Sequence, residues 1–317
     1  MINPHEVLFV TDEDAKYLFE DLFNLPGIHT HVFQKPNNSL INFVRRVHIN
    51  PKLSRILWLP KRDIWYNQKA IIDKMPKNGY LMINSSSMTN PTADFWIQIK
   101  TKRKDVKFVL LLIDSMDVVG GHMRETKRRL NLIKWDKILS YDKGDCEKYG
   151  FTYVGFDYYS PVDMVSDKIV YDLYYVSSVK SGKAEILKKI NSVCKKNNVN
   201  NFFQIVSSWR KIDYGNCYRK NIPYKKILEN ISMSNCILEV LQYGQKMQSL
   251  RYLEAVCYNK KLLTNNPDIV NYPFYNEDYM RCFKKVDDID WEWVRKRENV
   301  HFKAHNFSSA NLLRYID

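Results

Sequence analysis

Two aspartates and one histidine stand where a side chain could take a proton from a bound hydroxyl group. Asp12 follows the apolar run 6–10, Asp114 follows the long apolar run 106–113, and His122 follows two glycines. Carboxylates and imidazoles are common general bases, and ligands in α/β proteins lie beyond the carboxyl ends of the strands. An aspartate at such a position can instead cap the following helix. We keep both interpretations, with Asp114 as the first candidate.

The scaffold that must position these residues is predicted from the hydrophobic pattern. Short apolar runs alternate with amphipathic stretches, which is typical of βαβ units and a parallel sheet covered by helices. The sequence therefore predicts an α/β protein. The predicted strands are 6–10, 55–59, 80–84, 106–113, 137–141, 152–156, 169–176, 202–207, 235–240 and 261–264. The predicted helices are 14–23, 93–100, 183–195, 224–231, 249–258 and 308–316.

Length and composition favour a two-domain cytoplasmic protein. The 317 residues exceed one ordinary α/β core. No apolar run approaches the roughly 18 residues of a spanning helix, and residues 1–6 lack the plan of a signal peptide. Six cysteines are scattered without a paired spacing, so we expect buried thiols rather than disulfides or zinc ligands.

The chain is strongly basic, with 49 Lys and Arg against 35 Asp and Glu and a net charge of +14. Such a charge attracts polyanions such as nucleic acid, an anionic membrane or phosphate-bearing ligands. Basic clusters lie at 45–46, 100–104 and 124–129. The motifs of common nucleic-acid-binding modules are absent. We therefore expect contact with an anionic membrane surface and no nucleic acid; solvated helix ends are the alternative.

Residues 234–266 carry a resemblance to a known family. A strand-like run is followed by a polar loop, a helix containing Leu253-Glu254-Ala255, and a short strand ending in threonine and asparagine. This order resembles the donor-binding core of GT-B glycosyltransferases. The block WDKILSYDKGDCEKYG at 135–150, preceded by Asp114-Ser115, is similar to bacterial capsule, exopolysaccharide and lipopolysaccharide glycosyltransferases. The resemblance extends from about residue 106 to the end.

The resemblance implies a GT-B fold, with two Rossmann-like domains facing each other across a cleft. We assign residues 1–158 to an acceptor-binding domain and residues 168–300 to a nucleotide-sugar-binding domain, with a hinge at 157–167. Residues 301–317 would form a C-terminal helix that packs back on the first domain. The implied donor is a sugar nucleotide, with UDP-sugar favoured. The implied acceptor is a lipid-linked or surface-polysaccharide glycan at the inner face of the membrane.

The resemblance also implies donor-binding residues. Glu254 would accept two hydrogen bonds from the ribose diol, since a carboxylate accepts several at once. Arg251 would clamp a phosphate or sugar, and Ser249 would donate a hydroxyl at the helix start, where the helix dipole favours anions. Gln245 belongs to the glutamine-containing donor loop. For Glu254 and Arg251 the alternative is an ordinary ion pair on a helix.

A departing nucleoside diphosphate needs positive charge near it when no metal is bound. Lys180 and Lys183 are candidates because they follow the first strand of the second domain, where the family places a glycine-rich basic loop. Ser177 and Ser178 stand here where glycine would allow closer approach, so tight phosphate binding is in question. A solvated basic loop is the alternative.

We predict neither a metal nor a cofactor. Asp12 and Asp14 form an Asp-x-Asp pair, the motif that holds a cation in GT-A glycosyltransferases, but it follows the first strand directly and suits helix capping better. A glycine-free segment there also disfavours a dinucleotide-dependent enzyme. A non-catalytic partner of a glycosyltransferase complex is the main alternative function, because glycines are few at the expected phosphate loop.

Overall fold

The computed structural model divides the chain into two compact units. The first comprises Met1–Ser160 and Phe307–Asp317, and the second comprises Pro161–Asn306. The predicted strand at 55–59 lies outside the described residues. Those residues are 2–50, 62–117, 121–164, 166, 168–178, 183–207, 215–218, 222–241, 249–303 and 306–317.

The first unit contains a six-stranded parallel sheet in the order β2-β1-β3-β4-β5-β6. Since β2 and β3 lie on opposite sides of β1, the strand order reverses between β1 and β3. Most side chains of β1, β3 and β4 are buried, as expected for apolar runs covered on both faces. The strands are β1 (Val7–Asp12), β2 (His29–Phe33), β3 (Tyr80–Asn84), β4 (Lys107–Leu112), β5 (Lys137–Ser140) and β6 (Thr152–Tyr153).

Helices cover this sheet, and polar side chains begin several of them. Asn38, Asn84, Thr92 and Asp142 each accept a hydrogen bond from a first-turn amide of the helix that follows. The predicted helix at 14–23 is a 3₁₀ helix (Lys16–Phe19) followed by a short α-helix. The helices are α1 (Glu20–Asn24), α2 (Ser39–Ile49), α3 (Gln68–Lys74), α4 (Ser85–Thr89), α5 (Ala93–Lys102), α6 (Gly121–Leu130) and α7 (Lys143–Tyr149).

The second unit contains another six-stranded parallel sheet, in the order β12-β11-β10-β7-β8-β9. In chain order, β7, β8 and β9 extend to one side of the sheet, and β10, β11 and β12 extend to the other. This is the Rossmann order, with the reversal between β7 and β10. The strands are β7 (Tyr171–Ser178), β8 (Asn201–Val206), β9 (Asn216–Tyr218), β10 (Ser234–Glu239), β11 (Lys261–Thr264) and β12 (Met280–Cys282). The helices are α8 (Ala184–Lys196), α9 (Tyr224–Ser232), α10 (Leu250–Cys257) and α11 (Trp291–Arg295).

Residues 307–317 belong to the first unit, and their helical segment is a 3₁₀ helix (Ser309–Arg314) rather than an α-helix. The Ser309 hydroxyl accepts from the amide of Leu22 (3.0 Å). Tyr315 donates to the carboxylate of Asp157 (2.7 Å), which fixes the first residue of the predicted hinge to this unit. Among the helices of the described ranges, none has the length and apolar character needed to cross a bilayer.

Candidate functional site

Glu239 and Thr264 lie side by side at the carboxyl edge of the second sheet. They end β10 and β11 and are partners in the parallel register. Because β10 also pairs with β7, Glu239 stands at the point where the strand order reverses, and Thr264 lies one strand further out. Ligands bind at this point in sheets of this order. Both side chains are buried. A buried carboxylate at this place needs polar partners.

Two hydroxyl groups supply those partners, one for each carboxylate oxygen. Ser249 donates to Oε1 of Glu239, and Thr264 donates to Oε2 (2.5 Å). Burial raises the pKa of Glu239, while these hydrogen bonds and the positive charge of Lys183 act in the opposite direction. Lys183 directly precedes α8. The cluster therefore joins the ends of two strands to the starts of two helices.

Ser249 is also the N-cap of α10, because its hydroxyl oxygen accepts from the amide of Arg251 (3.1 Å). The hydroxyl proton of Ser249 is donated to Glu239. A hydrogen bond from Ser249 to a phosphate would therefore replace the one to Glu239. Gln245 lies outside the described residues. Two residues after β10, the amide of Leu241 donates to Oδ1 of Asn265 (2.7 Å), which fixes the point where the chain leaves this strand.

Glu254 lies one turn into α10, and its side chain is fully buried. The Tyr224 hydroxyl donates to Oε1 (2.8 Å). Arg251 Nη1 lies 2.5 Å from Oε2, outside hydrogen-bond geometry. Burial raises the pKa of Glu254 to about 7, although Arg251 and Tyr224 favour the charged form. Glu254, the predicted acceptor of the ribose hydroxyls, thus lies beside Arg251, the predicted phosphate clamp. Both carboxylate oxygens of Glu254 already face protein groups.

Asp12 occupies the corresponding place in the first sheet, where the strand order reverses between β1 and β3. Its Oδ2 accepts from the hydroxyls of Ser86 (3.0 Å) and Ser87 (2.8 Å) at the start of α4. Its Oδ1 accepts from the amide of Ala15 (3.0 Å). The neighbouring acidic side chain of Asp14 pairs instead with Lys35 (2.6 Å). The two carboxylates of the Asp-x-Asp motif therefore have different partners.

The other predicted site residues are more scattered. Asp114 is half-buried, two residues beyond β4, and its charge adds to the effect of burial in raising the pKa of Tyr141. His122 is the second residue of α6, but its side chain is outside the described part of the structure, as is Lys180. Within the described ranges, no group of three His, Cys, Asp or Glu side chains is arranged to hold a metal ion.

The sequence interpretation missed Glu239 and Tyr224 as members of the site. Glu239 was included in the predicted strand 235–240, and its signal was a charged residue at the end of an apolar run, just before a loop. Tyr224 is the first residue of the predicted helix 224–231. Its partner Glu254 is 30 residues away, and local pattern does not reveal such a pairing.

The basic clusters predicted to face a membrane are partly used inside the first unit. Arg129 of α6 is fully buried and donates to the backbone oxygen of Met88 in α4 (2.8 Å). Lys100 pairs with Asp136 (2.6 Å). Arg45 is buried, with its guanidinium over an aromatic ring. These three side chains hold elements together, so the clusters overstate the basic charge available to a partner.

No protein-family model matches this chain, and no curated protein sequence does. Solved structures do match it. The apo form of the lipopolysaccharide outer core galactosyltransferase WaaB has 13% identity over 89% of this chain and 87% of that chain (TM-score 0.45). A mutant of the T4 phage BGT protein in complex with UDP-glucose has 10% identity over 87% and 85% (TM-score 0.49). Phytolacca americana UGT2, complexed with UDP-2fluoro-glucose and pterostilbene, has 9% over 82% and 80% (TM-score 0.38).

The fold itself is established by the two sheets. Each unit has a six-stranded parallel sheet flanked by helices, with a reversal of strand order beside its first strand. The prediction of an α/β protein with two Rossmann-like domains is confirmed, and this agrees with the GT-B glycosyltransferase fold.

Proposed function

We propose that this protein is a glycosyltransferase that moves a sugar from a nucleoside diphosphate-sugar to a hydroxyl-bearing acceptor without a metal ion. The observation that carries the proposal is the polar cluster at the reversal of the second sheet. There Glu239, Ser249 and Thr264 meet at the start of α10, and Glu254 lies one turn further along. A ligand with a diol and a diphosphate suits this combination of carboxylates and a helix start.

The donor would bind through two kinds of contact. Glu254 would exchange the Tyr224 hydroxyl for the ribose diol, with Arg251 turning from Glu254 to the phosphates. The amides at the start of α10, together with Lys183 and Lys180, would stabilise the negative charge of the leaving nucleoside diphosphate. UDP-sugars are our first choice of donor, on the strength of the sequence resemblance.

The acceptor would bind to the first unit, and we assign the general base to Asp12. Its place at the strand reversal supports this choice over Asp114 and His122. In the inverting form of the reaction, the acceptor oxygen bonds to the anomeric carbon, the nucleoside diphosphate departs, and the acceptor proton passes to Asp12. We propose a lipid-linked glycan as the acceptor, reached at the inner surface of the cell membrane.

One observation favours a second candidate, a non-catalytic partner of a glycosyltransferase complex. Glu254 is fully buried, and its two oxygens face Tyr224 and Arg251. A chain that had lost donor binding could keep this arrangement permanently, whereas an enzyme must open it.

Calorimetric titration separates the two candidates. UDP-, TDP-, GDP- and CMP-sugars are titrated with and without EDTA into the wild type, Glu254→Gln and a matched control, Glu229→Gln. Glu229 lies on α9 with its side chain 37% exposed, beside Lys226 (2.9 Å). We expect one nucleotide class to bind regardless of EDTA, about tenfold or more weakly in Glu254→Gln because a charge-assisted hydrogen bond is lost, and unchanged in the control. No binding by any donor would favour the non-catalytic partner.

A further inference from the structure

Helix α2 carries an apolar stripe on its solvent side. Leu40, Phe43 and Val44 are 70%, 63% and 50% exposed, and Val47 is half-buried. These residues are spaced i, i+3, i+4 and i+7, so they share one face of the helix. We call this set the α2 stripe. Large apolar side chains normally face the core, and an exposed group of them marks an interaction surface.

The buried side chains of α2 are polar, whereas those of the apolar stripe are exposed. Arg45 and His48 are each only 6% exposed. Trp65 donates through its indole nitrogen to Nδ1 of His48 (2.8 Å). The Arg45 guanidinium lies 5.9 Å from the centre of the Tyr66 ring. These polar contacts fix the orientation of α2 and hold the stripe outward.

Neighbouring residues widen the apolar surface. The 3₁₀ helix Arg62–Trp65 packs beside α2, and its Ile64 is 67% exposed. Ile41 of α2 is 47% exposed. The exposed apolar surface is therefore formed by several side chains from two elements of the first unit, and not by one isolated residue.

The sequence on both sides of the stripe is basic. Between residues 22 and 62 the sequence contains no Asp or Glu, and Arg46 is exposed on α2 itself. The basic residues of this segment are Lys35, Arg45, Arg46, Lys52, Arg55, Lys61 and Arg62. Lys35 pairs with Asp14 (2.6 Å) and Arg45 is buried, so Arg46 is the arginine of α2 that faces solvent. An apolar helix face beside an exposed arginine, on a helix without Asp or Glu, complements an anionic bilayer, where the apolar side chains enter the headgroup boundary and the cation meets lipid phosphates.

We propose that α2 is the membrane-docking helix of this protein and lies in the plane of an anionic bilayer with the α2 stripe inserted. The proposal rests on the membrane part of the proposed function and gives it a specific surface. It does not depend on the donor site, which lies in the other unit. A second copy of the chain or another protein is a different occupant, and the experiment identifies it.

Vesicle flotation tests the proposal. Wild type, Leu40→Ser/Phe43→Ser and the control Val270→Ser are mixed with vesicles of phosphatidylcholine alone or with phosphatidylglycerol added. Val270 is 54% exposed in the second unit, so its replacement removes an apolar surface of similar kind. We expect binding to vesicles containing phosphatidylglycerol that falls about tenfold or more in the double variant, because two apolar side chains leave the interface. The control should bind like the wild type.

Three results would overturn the proposal. The first is no vesicle binding by the wild type, and the second is equal vesicle binding by the double variant. The third is a wild type that sediments as a dimer and does not bind vesicles, with a double variant that sediments as a monomer. The last result would make a second copy the occupant. Donor titration of the same variants separates this failure from failure of the proposed function, since loss of the stripe leaves donor affinity unchanged. Salt that weakens wild-type binding would support the role of the basic flank.

Discussion

Replacing Glu254 by glutamine should stabilise the protein at alkaline pH and leave its stability nearly unchanged in acid. Glutamine has the shape of a protonated glutamic acid but does not ionise. Glu254 is fully buried, and burial raises its pKa to about 7 against the opposing effects of Arg251 and Tyr224. The wild type therefore carries a buried charge above this pH, and the variant does not.

The size of the effect follows from the pKa of Glu254. The unfolded chain releases this proton near the ordinary value of 4.5, and the folded protein keeps it until about pH 7. Between these values the unfolded state binds fewer protons than the folded state, so stability falls as pH rises and levels off above the folded pKa. At about 1.4 kcal/mol for each pKa unit, the loss amounts to about 3 kcal/mol.

Urea unfolding between about pH 4 and pH 8.5 measures this difference, with Glu229→Gln as the matched control. The free energy of unfolding of Glu254→Gln minus that of the wild type should rise from near zero to about 3 kcal/mol. A difference that does not change with pH would refute the reasoning. A variant that is less stable than the wild type at pH 8 would show that the Arg251 ion pair outweighs burial and lowers the pKa of Glu254.

Two further substitutions test the two strand reversals. Ser249→Ala should lower the free energy of unfolding by about 1–3 kcal/mol, because α10 loses its N-cap and Glu239 loses a hydroxyl partner. Thermal unfolding measures this effect, with the exposed Ser39→Ala as the control. Equal melting temperatures of the two variants would contradict the prediction. Asp12→Asn should lower kcat by about a hundredfold or more with donor affinity unchanged, as loss of a general base does. Unchanged kcat in steady-state assays would place the base elsewhere.

The central strands could be predicted from the sequence, but several edge strands could not. The runs at 6–10, 80–84 and 106–113 are apolar because both faces of a central parallel strand are covered. By contrast, β2 has one fully buried side chain of five and reads HTHVF. The edge strands β9 and β12 have three residues each. Short edge strands bury few side chains and leave no apolar run.

The candidate site was predictable only where residues are close in sequence. The spacing of Ser249, Arg251 and Glu254 within one helix start placed them together before any coordinates. The partners that decide their chemistry come from other elements, as Glu239 and Tyr224 do. The basic clusters show the same limit, because Lys100 meets Asp136 across 36 residues. Charge patterns along a chain do not reveal which charges are already neutralised.

The return of residues 307–317 to the first unit has a consequence for synthesis on the ribosome. The hydroxyls of Ser160 and Ser309 meet at 2.6 Å across a separation of 149 residues, so the second unit is an insertion within the first. At about 5–20 residues per second, the ribosome needs roughly 7–30 seconds between these two serines. During that time Leu22 lacks the partner that Ser309 later provides. The unit made first is therefore completed last, and the nascent chain must keep its first sheet soluble while the second unit emerges.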